Sequence, residues 1–175
     1  MTIHHIHDLA NNKIINILKS EFATITNNDI IENYHPDHSD KTGNVFYLLK
    51  NGRYKQGCYT VLEEDGKFIA SAGWNEYNNN TALLLSRSYV NQQYRTQYLL
   101  AQHILPSQIS DTQNYINRWI TVNDYNSAIY NWFVRSQQGR RTALFDNWPP
   151  IYKKFHPIGE KNIYFTPQWV AEYRA

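Results

Sequence analysis

The sequence predicts an α/β (α+β) fold, a mixed and mostly antiparallel central sheet with helices on both faces. Two patterns predict it. Cys58 to Val90 reads as a three-strand antiparallel meander, and the chain beyond it switches to a helix–strand–helix succession. A meander feeding a strand–helix–strand–helix unit implies a mixed sheet with helices on its faces. The length of 175 residues suits one domain with a real core, so residues 1–175 are expected to form a single domain.

Residues 1–7 are expected to form a first strand. From Asp8 to Phe22 the apolar residues Ile14, Ile15, Leu18 and Phe22 fall at helical spacing, with Asp8 placed to cap the N-terminus. A second, short helix spans Asn28 to Tyr34 and stops ahead of Pro36, because proline disfavours helix in the residue before it. His35 to Asn44 reads as a polar loop. In the meander, Tyr59–Glu63 and Lys67–Trp74 flank the turn signal Glu64-Asp65-Gly66. Asn78-Asn79-Asn80 turns the chain again into Thr81–Val90, which is apolar at Leu83-Leu84-Leu85. Gln93 to Ile109 reads as a helix that Pro106 ends or kinks. Ile116–Val122 is a strand, Asn123 or Asp124 caps a helix running to about Gln137, and Gly139 stops it. A closing hairpin is expected around Gly159-Glu160-Lys161, between Phe155 and Phe165.

Composition narrows the function. A hydrophobic share of 42% and a charged share of 18% are ordinary for a globular chain and argue against disorder. The net charge is +2 and no Lys/Arg run exceeds Arg140-Arg141 or Lys153-Lys154, so no nucleic-acid partner is expected. No apolar run approaches the roughly 20 residues of a membrane-spanning helix, and Met1–Asp8 lacks the apolar core of a signal peptide. With Cys58 as the sole cysteine there is no internal disulfide, and the expected location is the cytoplasm. His4, His5 and His7 are close in sequence, but neighbours in a strand point to opposite faces and no metal motif accompanies them, so no metal site is expected. Cys58 reads as a small buried apolar residue, not a nucleophile.

Three stretches carry a resemblance. The first is Tyr89-Val90-Asn91-Gln92-Gln93-Tyr94-Arg95-Thr96-Gln97-Tyr98-Leu99-Leu100, a strand end, a short turn, Tyr-Arg, and a loop that opens a helix. The second is Ile120-Thr121-Val122-Asn123-Asp124-Tyr125-Asn126-Ser127-Ala128-Ile129-Tyr130, a strand followed by Asn and Tyr seven residues apart. The third is the closing pair from Phe155 to Tyr164. Together they resemble the GNAT superfamily of N-acyltransferases. The resemblance covers about half the chain, Thr81 to Phe165.

That resemblance implies a GNAT-like fold and an N-acyltransferase moving an acyl group, acetyl by expectation, from acyl-CoA to an amine on a small molecule or peptide. It matches Arg95 to the first position of the family's pyrophosphate loop R-x-x-G-x-G/A, with Thr96 and Gln97 in the variable positions and the backbone at Val90 beside the pantetheine arm. It matches Asn123 to the family's cofactor-arm contact and Tyr130 to the general acid that protonates the leaving thiolate. A phenol near pKa ~10 can donate that proton at neutral pH. The plain alternative makes Asn123 a helix cap, Tyr130 a half-buried aromatic and Arg95 a solvated charge. Both glycines of the loop are replaced, by Tyr98 and Leu100, and glycine is what lets such a loop approach phosphate closely. The strand Thr81–Val90 holds no carboxylate, and Glu76 is the nearest candidate base. A different reading follows from those departures, a catalytically inactive GNAT-like binding or accessory module that has lost acyl-CoA.

Overall fold

A computed structural model describes residues 1–97, 99–122 and 163–165. The contacts divide the chain into two compact units. The first holds Met1–Asn75 with Arg87–Ser107; the second holds Glu76–Ser86 with the described residues from Gln108 onward.

The first unit begins with β1 (Thr2–Ile6), followed by α1 (Asn12–Phe22) and α2 (Asn28–Tyr34). Asp8 does not cap α1. Its carboxylate accepts from the Ala10 amide at 2.8 Å in a local turn, and Asn11 takes the cap position, its side chain accepting from Ile14. α2 has the expected bounds. The polar loop contains a single 3-10 turn at Pro36–His38. A further helix, α3 (Val45–Lys50), was not expected, and at six residues it is too short to show a period. Asn44 caps α3 by accepting from the Phe46 amide, and it donates to the carbonyls of Glu32 and His35. One buried amide thus ties α2 to α3.

β2 (Gly57–Glu64) pairs antiparallel with β1 and with β3 (Lys67–Asn78). The turn between β2 and β3 has left-handed residues at Asp65 (φ 52°) and Gly66 (φ 79°), the tight hairpin geometry that Asp-Gly favours. Gly73 in β3 has a different reason to be glycine. A Cβ there would enter the ring of Tyr54, which is 1% exposed. Along the first unit the neighbours run β1-β2-β3-β4, with β4 at Thr81–Val90 contributing its last residues. Only Asn79 and Asn80 separate β3 from β4, a connection that fits antiparallel neighbours.

The core of this unit lies where α1–α3 meet β1–β3. It includes Ile14, Leu18, Phe22, Val45, Leu49, Tyr59 and Val61, all almost wholly buried. Phe22 has no exposed surface and packs edge-on against Tyr34, Phe46, Phe68 and Tyr89, with centroids 5.1–5.9 Å away. Edge-to-face contacts suit the ring quadrupole, so this cluster adds to simple area burial.

In the second unit β4 pairs parallel with β5 (Asn117–Val122), and β5 pairs antiparallel with β6 (Ile163–Phe165). The helical stretch expected from Gln93 begins later. A 3-10 turn covers Gln92–Tyr94, a π-helical turn covers Leu100–Ile104, and α4 (Leu105–Asp111) follows. Pro106 therefore does not end the helix. It has no N–H to give the preceding turn, and the wide π geometry just before it accommodates that loss. The expected helix to Gln137 and the hairpin turn at Gly159–Lys161 lie outside the described residues. No helix among the described residues is long and apolar enough to cross a membrane.

Candidate functional site

β4 is the strand on which the site depends. Its parallel ladder to β5 pairs Thr81 with Asn117 and ends at Leu84 with Ile120. Immediately beyond, two non-glycine residues are left-handed, Leu85 at φ 55° and Arg87 at φ 49°. Such conformations cost on the order of 1–3 kcal/mol each, and they persist where the surroundings over-determine them. β4 thus leaves its regular path at the end of the ladder.

Named side chains hold it there. In the second unit the Leu85 amide donates to Oε1 of Gln108 at 2.9 Å, and Gln108 is fully buried. In the first unit the Tyr59 hydroxyl donates to the Arg87 carbonyl at 3.0 Å and shares a 2.8 Å bond with Ser71 Oγ. The Tyr34 hydroxyl donates to the Ser88 carbonyl at 2.8 Å. Burial pushes both phenols well above the usual tyrosine range, with the positive charge of Arg87 opposing the shift in each. The protonated, donating form is therefore fixed. Gln108→Met, close in volume but without the acceptor, is expected to cost about 1–3 kcal/mol in urea unfolding, since a buried amide loses its partner. A change below roughly 0.5 kcal/mol, the range of neutral surface substitutions, would show that Gln108 does not hold Leu85.

The loop after β4 is tied down at several points. The Asn91 amide donates to Ile69, its Nδ2 donates to Phe68, and its Oδ1 accepts from the Gln93 amide. Tyr94 then donates to Asn91 and Gln97 donates to Tyr94 through their backbone amides. Of the residues matched to the pyrophosphate loop, Arg95, Thr96 and Gln97 are all exposed. Arg95 is bent back onto the strand. Its Nε donates to the Val90 carbonyl at 3.0 Å, and its guanidinium lies 5.6 Å from the centroid of the Tyr89 ring. Burial raises the Glu21 carboxyl pKa, and the Arg95 charge counteracts it. A groove of about 480 Å³ opens nearby, lined by Asn16, Glu21, Lys67, Asn91 and Tyr94 among others. The structure thus brings Val90 and Arg95 into contact and places Thr96 and Gln97 beside them. Tyr98, Asn123 and Tyr130 lie outside the described residues. Leu100, in the second glycine position, is half-buried at the start of the π turn.

Glu76, the candidate base, is half-buried and hydrogen-bonded to the Tyr115 hydroxyl; burial first, and then the Glu76 carboxylate, raises the Tyr115 pKa. Among the histidines, His4 lies 3.5 Å from Glu63, His5 Nδ1 lies 3.5 Å from the buried Cys58 Sγ, and His7 meets the Tyr54 carbonyl. Sequence reasoning did not single out Gln108, Tyr34, Tyr59 or Arg87. Their partners are 23 to 54 residues away, and no local pattern signals such contacts.

The fold is similar to that of several solved N-acyltransferases. The PaiA N-acetyltransferase of Thermoplasma acidophilum, solved in complex with coenzyme A, aligns over 95% of this chain and 98% of its own, with a TM-score of 0.54 and 13% identity. An acyl-CoA N-acyltransferase of Pseudomonas aeruginosa aligns over 94% and 96% (TM-score 0.53, 13% identity). The ribosomal-protein-alanine N-acetyltransferase of Brucella melitensis aligns over 95% and 98% (TM-score 0.53, 13% identity). At such identities the likeness defines the fold alone. No protein-family model matches the chain, and no curated protein sequence does.

Proposed function

We propose that this protein is a CoA-dependent N-acyltransferase that moves an acyl group, acetyl in the first instance, to an amine. The observation that carries the reading is the departure of β4 from its β5 ladder after Leu84, held by dedicated hydrogen bonds. Two left-handed non-glycine residues are costly in a strand, and three buried side chains maintain that local shape, which is the kind of strain found at functional sites. A fold neighbour solved with coenzyme A supports the same reading.

In this reaction the amine nitrogen attacks the thioester carbonyl directly. The C–N bond forms, the C–S bond breaks, the amine gives up a proton, and the departing thiolate takes one. In this reading Tyr130 supplies the thiolate's proton. Val90 offers backbone to the cofactor arm and Asn123 contacts it. Arg95, Thr96 and Gln97 hold the pyrophosphate, for which Arg95 releases the Val90 carbonyl. Most of the rate would come from positioning and from a strand amide facing the developing oxyanion. Because Glu76 is engaged by Tyr115, water is the better candidate to receive the amine proton.

A second reading has its own observations. The Gln97 amide already donates to Tyr94, and Arg95 already donates to Val90. A module without acyl-CoA would keep both bonds. Thiol release from acetyl-CoA in the presence of an amine panel separates the two. The enzyme predicts amine-dependent release that Arg95→Ala weakens through a KM for acetyl-CoA at least tenfold higher; the module predicts none.

A further inference from the structure

The groove of about 480 Å³ beside the Arg95 loop is built wholly from the first unit. Its volume is that of a small-molecule site. One wall is a stripe of α1, where Asn16, Ser20 and Glu21 share a side of the helix. The other side of α1 carries Ile14, Ile15, Leu18 and Phe22 into the core, which fixes the stripe in place. The facing wall is the start of β3 at Lys67 and the loop after β4, with Gln93 and Tyr94. Asn91 anchors that loop to β3. Its amide donates to the Ile69 carbonyl at 2.9 Å, and its Nδ2 donates to the Phe68 carbonyl at 3.0 Å. Both walls are thus set before any ligand arrives, which lowers the entropy lost on binding.

The groove holds one charge of each sign. Glu21 is half-buried, and burial raises its pKa. Arg95 opposes that shift from a distance, but its guanidinium is turned onto the Val90 carbonyl and the Tyr89 ring. Among the described residues Glu21 forms no ion pair. A carboxylate drawn partly out of water favours a cation held against it. Lys67 is exposed, and its ammonium likewise forms no ion pair among the described residues. The two charges line one groove without neutralising each other.

That pairing of walls selects among ligands. Glu21 repels a purely anionic molecule, and Lys67 with Arg95 repels a polyamine. An apolar molecule would take water from Asn16, Ser20, Gln93 and Tyr94 without replacing its hydrogen bonds. A molecule with one ammonium and one carboxylate meets each charge with its opposite. We propose that this groove is a binding site for a small zwitterion of the amino-acid class, its ammonium against Glu21 and its carboxylate against Lys67. The site stands on the groove alone and does not require acyl transfer.

The test uses the full chain labelled with 15N, without acetyl-CoA, so that its outcome is independent of the acyltransferase reading. Glycine, γ-aminobutyrate and ε-aminocaproate present the two charges at three separations; butylamine and butyrate present one charge each. The backbone amide signals of Ser20, Lys67 and Gln93 report from both walls. At least one zwitterion is expected to move all three signals and to saturate at millimolar concentration, at least tenfold tighter than butylamine or butyrate. Glu21→Gln and Lys67→Gln should each weaken that zwitterion tenfold or more. Butylamine should lose affinity only in Glu21→Gln, and butyrate only in Lys67→Gln. Lys67 is exposed, so its variant serves if Glu21→Gln does not fold. Signals unmoved by all three zwitterions, butylamine binding as tightly as the best of them, or shifts that survive intact in either variant would overturn the site.

Discussion

Replacing Phe22 by alanine is expected to lower the stability of the protein by about 3–5 kcal/mol, the range for truncating a buried aromatic. Phe22 is wholly buried and is the only ring in contact with Tyr34, Phe46, Phe68 and Tyr89 together among the described residues. The loss has two parts, the transfer of the ring and the cavity left among four rigid neighbours that cannot collapse into it. A domain is typically stable by only about 5–15 kcal/mol, so the variant should lie near its folding threshold. Because Tyr34 and Tyr89 flank the left-handed stretch of β4, damage here should also loosen the candidate site. Urea unfolding monitored by circular dichroism measures it. Tyr77→Ala is the control, since Tyr77 is 51% exposed and should change stability by less than roughly 0.5 kcal/mol. Equal effects from the two variants would contradict the packing described.

The second large effect is expected from alkali. Tyr34 and Tyr59 are buried, and their pKa values are raised from the ordinary 10.0 by burial. A phenol whose folded pKa is raised holds its proton in the native state after the unfolded chain has released it. Stability is then fully present below pH ~10 and falls as the pH rises through the window between the unfolded and folded values. Each group contributes a slope of about 1.4 kcal/mol per pH unit in that window, so the pair should remove roughly 3 kcal/mol between about pH 9 and pH 11. The urea midpoint measured across that range should fall steeply, and a Tyr34→Phe/Tyr59→Phe double variant should fall less. A flat midpoint would show that these hydroxyls are not buried donors to β4.

The features legible in the sequence are local ones, and those that are not depend on residues far apart in the chain. The meander was legible because Asp65-Gly66 and the Asn run are turn signals that act over four residues, and its strands have close to the expected bounds. α2 was legible because Pro36 limits it. The start of α1 was misplaced because Asp8 and Asn11 are both capable caps, and the choice between them is made by a turn at Ala10. The helix after β4 was expected six or seven residues too early, because Asn91 and Tyr94 divert the amides of Tyr94 and Gln97 into short turns that leave the hydrophobic period intact. For the candidate site, the order of residues points to Val90 and Arg95 as cofactor contacts, whereas the bond between the Arg95 side chain and the Val90 carbonyl has no signal in the sequence. The supports of β4 were not legible. Tyr34 and Tyr59 look like any core aromatics, Gln108 looks like any helix glutamine, and what distinguishes them is the carbonyl or amide each one reaches across the fold.

Thermal unfolding of the full chain with and without millimolar acetyl-CoA, with ATP as the control, tests the central claim most directly. If β4 and the Arg95 loop receive acyl-CoA, ligand at about a hundred times its dissociation constant should add about 2.7 kcal/mol. For a chain of this size that is a rise of roughly 5–10 °C, with no comparable effect of ATP. No shift with acetyl-CoA at any concentration would contradict the acyltransferase account and favour a binding module built on the same fold.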